Sequence, residues 1–194
     1  MPPKFRFTRE EMICAAVDIV RESGADALTA RALAAKLGCS AKPIFGLFQN
    51  MEEVRAAVIE EANRLYQDRL KKAVVEKEYP PYKATGMAYI RFAKEETELF
   101  KLLYMRDRSR EAPPPTEAEE LDGLLSLVQK ATGLSREDAF RFHLETWIYV
   151  HGIATMIATG YLDWDPAFVS DAVTDCYLGL KYRFCGEEKR NGSD

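Results

Sequence analysis

The segment LTARALAAKLGCSAKPIFGLFQNMEEV, residues 28–54, decides how the rest of this 194-residue chain is interpreted. Its apolar residues have helical spacing on both sides of a tight turn at Gly38-Cys39-Ser40, which predicts two short helices. We expect Thr29 to cap the first of them and Ser40 to cap the second, with Pro43 in its first turn. Two short helices joined in this way are typical of a helix-turn-helix, which places its second helix in the major groove of DNA.

Outside this segment, every strongly periodic stretch also has helical spacing, and none shows convincing strand alternation. We therefore predict an all-α chain of about nine helices. Thr8 and Gly24 delimit the first helix, while Asn50 caps a long fourth helix that ends before Pro80-Pro81. The remaining helices are predicted at about 82–94, 96–105, 116–131 and 135–159, and from Asp165-Pro166 to Cys185-Gly186, with Ser135 capping the helix at 135–159. An exposed charged loop is predicted across Pro113–Pro115, and a polar tail at 187–194.

Composition narrows the class of protein. A hydrophobic content of 47% and a charged content of 30% are those of a globular protein with a real core. No apolar run is long enough for a membrane span, and the N-terminus is too polar for a secretory signal, so we expect a cytoplasmic protein. The four cysteines have no CxxC spacing and do not cluster with histidine, so we expect reduced thiols and no zinc.

Catalytic motifs are absent from the sequence. It contains no glycine-rich phosphate loop, no nucleophile elbow and no HExxH pattern, and its two histidines have no triad spacing. We therefore expect neither an enzyme nor a cofactor. The net charge of −4 is unevenly distributed, since residues 1–50 carry +2 and the remainder −6. This asymmetry weakly favours a DNA-binding N-terminal part on an acidic body.

The N-terminal motifs, from about Thr8 to Ala62, resemble those of the TetR family of bacterial transcriptional regulators. The matching residues, in register without gaps, are Gly24, Leu28-Thr29, Leu33-Ala34, Leu37-Gly38-Cys39-Ser40, Phe45, Phe48 and residues 50–54. The resemblance implies a three-helix DNA-binding head at residues 1–50 and a helical effector-binding and dimerisation body at 51–186. It also implies a homodimeric regulator, most often a repressor, that leaves a near-palindromic operator in double-stranded DNA when it binds a small apolar or aromatic effector.

The chain departs from the family pattern at three positions of the head. Phe45 replaces the usual Tyr, Leu47 the usual His and Met51 the usual Lys, and each change removes a group that contacts phosphate. We predict that Lys42, Gln49, Thr29 and Arg31 take over this role. An alternative is a helical dimeric interaction or ligand-binding protein whose DNA binding is weakened or lost. The candidate DNA-binding residues are Thr29, Arg31, Ser40, Ala41, Lys42, Pro43, Phe45 and Gln49.

Each candidate in the head also has a structural interpretation. Phe45 and Phe48 are expected to pack in the core rather than to touch DNA. Thr29 serves as a helix cap whether or not it also donates to phosphate, and Arg31 is as consistent with a solvated charge. Three basic residues near the N-terminus form either an arm on phosphate or a disordered start. They are Lys4, Arg6 and Arg9.

The eighth predicted helix is apolar on nearly every face along WIYVHGIATMIA, residues 147–158, so it must be covered on all sides. We expect one side to face the core and another to face a second subunit, in a four-helix bundle with the ninth helix. A wholly intramolecular core is the alternative. The predicted dimer residues are Trp147, Ile148, Val169, Val173, Cys176 and Leu180. The predicted effector-binding residues are Phe92, Phe100, Tyr104, Trp147 and His151, for which packing in the core is again the alternative.

Overall fold

The computed structural model describes residues 7–107 and 116–191, without the side chains of residues 116–120 and 187–191. Within those residues the chain is all-α and contains no strand, as predicted. A short 3-10 turn at Ala25–Ala27 follows the first helix. The nine helices are α1 Arg9–Ser23, α2 Ala30–Lys36, α3 Ile44–Leu47, α4 Met51–Glu76, α5 Pro81–Glu95, α6 Thr97–Tyr104, α7 Thr116–Thr132, α8 Arg136–Ala158 and α9 Pro166–Asn191.

Four of the predicted N-caps are confirmed. The Thr8 hydroxyl accepts from the Glu11 backbone N–H, and the Glu11 carboxylate accepts from the Thr8 N–H, which completes a capping box. The Thr29 hydroxyl accepts from the Ala32 N–H at 3.1 Å, the Asn50 side-chain oxygen from the Glu53 N–H at 3.0 Å, and the Ser135 hydroxyl from the Asp138 N–H at 3.1 Å. These bonds satisfy N–H groups that a helix start otherwise leaves unpaired.

Helix α3 differs from its prediction. Its regular turn begins at Ile44 with Pro43 at the N-cap position and no side-chain cap, so the prediction that Ser40 caps it is wrong. The residues before it form turns, in which the Ile44 and Phe45 N–H groups both donate to the Ala41 carbonyl. Pro43 has no N–H to donate and disfavours helical geometry at Lys42, which explains the late start.

The end of helix α9 also differs from its prediction. Helix α9 extends to Asn191, beyond the predicted stop at Cys185-Gly186, so the start of the predicted polar tail at 187–194 is helical. Glutamate, lysine and arginine are good helix formers, and one glycine costs only about 1 kcal/mol in a helix, so Gly186 does not end α9. The predicted charged loop lies largely outside the described residues, because residues 108–115 are not among them.

The chain divides into two compact units. The first comprises the described residues up to Asp68 together with Glu95–Arg106, and the second comprises Arg69–Lys94 and the described residues from Asp107 onward. Helix α6 belongs to the first unit because it packs on α1. Arg21 of α1 donates to the Glu96 carboxylate at 2.7 Å just before α6 begins. The predicted boundary at residue 50 separates functional parts of the chain and stays a prediction.

Each unit has its own apolar core. In the first unit, side chains from α1 to α4 and from α6 meet, among them Met12, Val20, Leu33, Ile44, Phe48, Val54 and Leu99. In the second unit the buried cluster is Tyr82, Leu125, Val128, Leu134, Ala139, Phe142 and Phe184. All four cysteines are free thiols. The part of the chain that the structure describes contains no helix with the length and apolar character of a membrane span.

Candidate nucleic-acid interface

Helices α2 and α3 pack against the core of the first unit through a small set of buried side chains. Leu33 and Ala34 of α2, together with Ile44 of α3 and Phe48 just after it, are all buried in the first unit. Phe48 is only 2% exposed, which confirms the expectation that it is a core residue. Because both helices are short, this packing rather than intrinsic helix stability keeps them in place.

The opposite side of this segment is open to solvent. Most of the candidate DNA-binding side chains lie there, while Ala41 and Pro43 are partly buried. Among the described residues, neither Arg31 nor Lys42 has an ion-pair partner. The exposed members are Thr29, Arg31, Ser40, Lys42, Phe45 and Gln49. We call the set of Thr29, Arg31 and residues 40–49 on this side the candidate surface.

Phe45 does not follow the expectation of core packing. Its side chain is 49% exposed although Phe48, three residues later, is buried. Residues three apart on a helix share a face, but the chain leaves α3 after Leu47 in an extended conformation, with φ −127° and ψ 141° at Phe48. The change of direction takes Phe48 into the core and leaves Phe45 at the surface.

Glu53, at the start of α4, binds the backbone at Gln49, where the candidate surface ends. Its carboxylate accepts from the Gln49 backbone N–H at 2.7 Å and from the Arg9 guanidinium at 2.9 Å. Arg9 in turn lies over the Phe48 ring, with its guanidinium carbon 4.5 Å from the ring centroid. The position of Gln49 therefore depends on a contact between the first helix and the fourth.

The role of Glu53 and Arg9 was not predicted from the sequence. Arg9 had been grouped with Lys4 and Arg6 as a possible arm on phosphate, but it is bound within the protein, and the other two lie outside the described residues. The spacing of Asn50 and Glu53 is that of a capping box, which signals that Glu53 turns back toward the helix start. The partnership with Arg9, 44 residues earlier, has no local signal.

The five predicted effector-binding residues are divided between the two units. Phe100 and Tyr104 lie in the first, with ring centroids 5.2 Å apart, and Tyr104 also meets Tyr66 edge-on. In the second, the Trp147 ring stacks on His151 at 4.9 Å, and the guanidinium of Arg69 lies over the ring of the fully buried Phe92. Neither unit by itself brings all five together.

Two tyrosine–histidine pairs connect α5 to α8 in the second unit. The Tyr82 hydroxyl is 3.1 Å from Nδ1 of His143, and the Tyr89 hydroxyl is 2.8 Å from Nδ1 of His151. Burial lowers the pKa of both histidines because the charged imidazolium is poorly solvated there. Burial also raises the pKa of Tyr82, so this pair is neutral near pH 7.

The predicted dimer residues also fall into two groups. Trp147 and Ile148 point outward, and Ile148 is 59% exposed, whereas Val169 and Val173 are each 3% exposed and belong to the interior of the second unit. Leu180 packs against the buried cluster, and Cys176 is partly buried. The predicted apolar stripe of α9 therefore faces inward, since it is needed to cover the protein's own core. The outward side of α9 instead carries Phe168, Leu178 and Tyr182.

Comparisons with known proteins agree with this architecture. The family model described as "Tetracyclin repressor-like, C-terminal domain" matches residues 82–176. A search of curated proteins by sequence gives no match. A structure of a protein with unknown function from Rhodococcus sp. RHA1 is 26% identical, with a TM-score of 0.72, and the match covers 95% of this chain and 100% of that one.

Two further solved structures are less similar in sequence and support the fold. A TetR-like transcriptional regulator from Rhodococcus sp. RHA1 is 17% identical with a TM-score of 0.64, over 92% of this chain and 97% of that one. A member of the TetR family from Streptomyces coelicolor A3 is 19% identical with a TM-score of 0.62, over 87% and 96% respectively. The helix-turn-helix motifs of the first unit and the family match in the second lead to one conclusion: the chain belongs to the TetR family.

Proposed function

We propose that this chain is a homodimeric DNA-binding regulator that acts as a repressor. A small-molecule effector would release it from its operator. The observation that carries the proposal is the candidate surface. Its cations, Arg31 and Lys42, are exposed and have no ion-pair partner among the described residues, while the apolar side chains of α2 and α3 on the inward side are buried. Cationic groups without an internal partner are available to neutralise phosphates and release counterions.

Individual residues of the candidate surface would have different roles. Lys42 and Arg31 supply charge for phosphate contacts, and the exposed Thr29 and Gln49 supply hydrogen-bonding groups. Ser40, Ala41 and Pro43 lie in the turns that lead into α3, where the family places residues facing base edges. Phe45 has no hydroxyl but offers an exposed apolar ring, which suits contact with sugars or with a thymine methyl group.

A titration of promoter DNA at about 50 mM and about 200 mM salt tests the DNA-binding proposal, because each phosphate contact contributes to the salt slope. We expect tight binding that weakens steeply with salt, and Lys42→Ala should weaken it roughly 3- to 10-fold and reduce the slope by about one. Lys130→Ala is the matched control, since Lys130 is an exposed lysine on α7 in the second unit. Absence of binding by the wild type would favour the alternative of a helical interaction protein.

A second copy of the chain is the proposed partner of α8 and α9. The exposed large apolar residues of these helices form what we call the outer face. It comprises Phe140, Leu144, Trp147 and Ile148 of α8, which share one side of that helix, and Phe168, Leu178 and Tyr182 of α9. So many large apolar side chains on one side are typical of an interaction surface, and a two-fold dimer would present two candidate surfaces to a near-palindromic operator.

The proposed effector site lies in the second unit, around Trp147. Trp147, His151 and Tyr89 form one connected aromatic and polar group, which suits a small aromatic ligand that accepts or donates one hydrogen bond. Helix α4 begins in the first unit and ends in the second, so a conformational change in the second unit could reach the first through one continuous helix. A ligand would shift DNA affinity only by binding the two conformations unequally.

A further inference from the structure

The outer face carries three charged residues whose charges are not neutralised by the residues that the structure describes. Arg141 of α8 lies over the Phe184 ring at 5.9 Å but has no carboxylate partner among the described residues. Asp171 and Asp175 of α9 are exposed and likewise have no cationic partner in that part of the chain. By contrast, the neighbouring Glu145 and Arg183 pair with each other at 2.5 Å.

These charges lie among the apolar residues rather than at the edges of the face. With a turn of 3.6 residues, Arg141 falls on the same side of α8 as Leu144 and Ile148. Asp171 and Asp175 fall on the same side of α9 as Leu178 and Tyr182. Any partner that covers the apolar residues must therefore also accommodate these charges.

The charges of opposite sign lie at opposite ends of the face. Cys185, near the end of α9, contacts the Thr132 carbonyl just before α8 begins, so α8 and α9 run antiparallel. Contacts of Phe142 with Tyr177 and Phe184, and of Glu145 with Arg183, place Trp147 and Leu178 at about the same level. Arg141 lies six residues before Trp147, about 9 Å along α8. Asp171 lies seven residues before Leu178, about 10 Å along α9 and in the opposite direction.

A second copy can cover this face in two symmetric ways, which the charges distinguish. If the two-fold axis runs along the helices, Arg141 lies level with the partner's Arg141, and the aspartates lie level with the partner's Asp171 and the partner's Asp175. If the two-fold axis instead runs perpendicular to the helices, near Trp147 and Leu178, positions along the helices are reversed between the copies. Arg141 of each copy then lies level with the two aspartates of the other copy, once at each end of the interface. The first arrangement places like charges together in a partly desolvated interface, and the second pairs opposite charges.

We propose that Arg141 forms ion pairs with the partner's Asp171 and the partner's Asp175, and that these pairs select the dimer in which each α8 is antiparallel to its counterpart. This inference rests on the proposed dimer and adds the residues that determine its register. Apolar burial supplies most of the affinity, and the charges exclude the arrangement in which like charges meet. Gly179, beside Asp175 on this face, has open space around it, so close approach of a second helix is sterically allowed.

Charge reversal tests the inference with the full-length chain. The variants are Arg141→Asp, the double variant Asp171→Arg with Asp175→Arg, and the triple variant that combines all three changes. We expect the first two to raise the dimer dissociation constant roughly tenfold at about 50 mM salt, with smaller effects at high salt, and the triple variant to restore it. The readout is sedimentation equilibrium, with circular dichroism to confirm folding. Lys130→Asp is the control for an added negative charge outside this face.

The outcomes separate the register from the dimer itself. If the wild type dimerises but Arg141→Asp leaves the dissociation constant unchanged or lowers it, the antiparallel register is wrong while the dimer stands. If the triple variant remains as weak as the first two, the pairing between Arg141 and the aspartates is also wrong. A wild type that stays monomeric at high concentration overturns this inference together with the dimeric part of the proposed function.

Discussion

Glu53 connects three parts of the first unit through a single carboxylate. It accepts hydrogen bonds from Gln49 and Arg9, and its own N–H donates to the Asn50 cap. The Arg9 ion pair is partly exposed and contributes less than about 1 kcal/mol by charge alone. The carboxylate matters mainly because it fixes the backbone between α3 and α4, where the candidate surface ends.

Glu53→Ala is therefore expected to affect both stability and DNA binding. Loss of the carboxylate removes two hydrogen bonds at a helix start, which should lower the free energy of unfolding by about 1 to 2 kcal/mol. Chemical denaturation measures this loss. Glu52→Ala is the matched control, since Glu52 is adjacent and exposed and, in the described part of the chain, pairs only with Arg55 on the same helix. Equal effects of the two substitutions would contradict the role assigned to Glu53.

Residue-level prediction succeeded where the determining contacts are local in sequence. The caps at Thr8, Thr29, Asn50 and Ser135 depend on partners three residues away, so the pattern of residue types identified them. The exposure of Phe45 depends instead on the direction in which the chain leaves α3, which no local pattern specifies. The contact of Arg9 with Glu53 depends on tertiary packing and was missed for the same reason.

Among the secondary-structure elements, α5 and α8 are joined by the two tyrosine–histidine pairs. Burial lowers the pKa of His143 below its ordinary value of 6.5, so the folded protein binds this proton less readily than the unfolded chain. At pH values well above 6.5 both states are neutral, and the site adds no pH dependence. As the pH falls through 6.5, the unfolded chain takes up the proton first, so stability decreases until the lower folded pKa is passed.

His143→Asn should reduce this pH dependence. Asparagine retains a polar group near the position of Nδ1 for the Tyr82 hydroxyl but does not titrate, so the decrease in stability between about pH 7 and about pH 5 should be smaller than in the wild type. The measurement is the free energy of unfolding at several pH values. His151→Asn provides a comparison at the second pair, since burial lowers the pKa of that histidine too. A wild-type slope retained in His143→Asn would show that His143 is not the group responsible.

Helix positions were largely predictable from the helical spacing of apolar residues and from the glycines and prolines that end helices. Two features of the helices were not predictable in this way. The start of α3 is delayed by Pro43, whose effect on the preceding turns outweighs the capping tendency of Ser40. The sequence also did not show which side of α9 packs against the protein's own core. An apolar stripe shows that a helix face is buried but does not show whether its own core or a partner buries it.

Presentation of two candidate surfaces to one operator requires a dimer, which we propose forms through the outer face. Ile148 is 59% exposed near the centre of α8, so replacing it changes little inside the protomer. Ile148→Glu would place a charge in the centre of the proposed interface, which should weaken dimerisation at least tenfold and weaken DNA binding with it. Analytical ultracentrifugation measures the first effect.

Val75→Glu is the matched control for this prediction. Val75 is a β-branched residue that is 76% exposed near the end of α4 and lies outside the outer face. The substitution should leave both the dimer and its DNA affinity close to the wild type. If both variants behave alike, the outer face is not the dimer interface.

The most direct test of the central claim, that this chain is a dimeric DNA-binding regulator, is selection of bound duplexes from a random DNA pool by the full-length protein. The account predicts enrichment of a near-palindromic sequence whose half-sites are separated by about one helical turn or slightly more, which is roughly 34–36 Å between centres. Lys42→Ala should select the same sequence with lower yield, because a phosphate contact carries no sequence information. Recovery of no enriched sequence by the wild type would contradict the account.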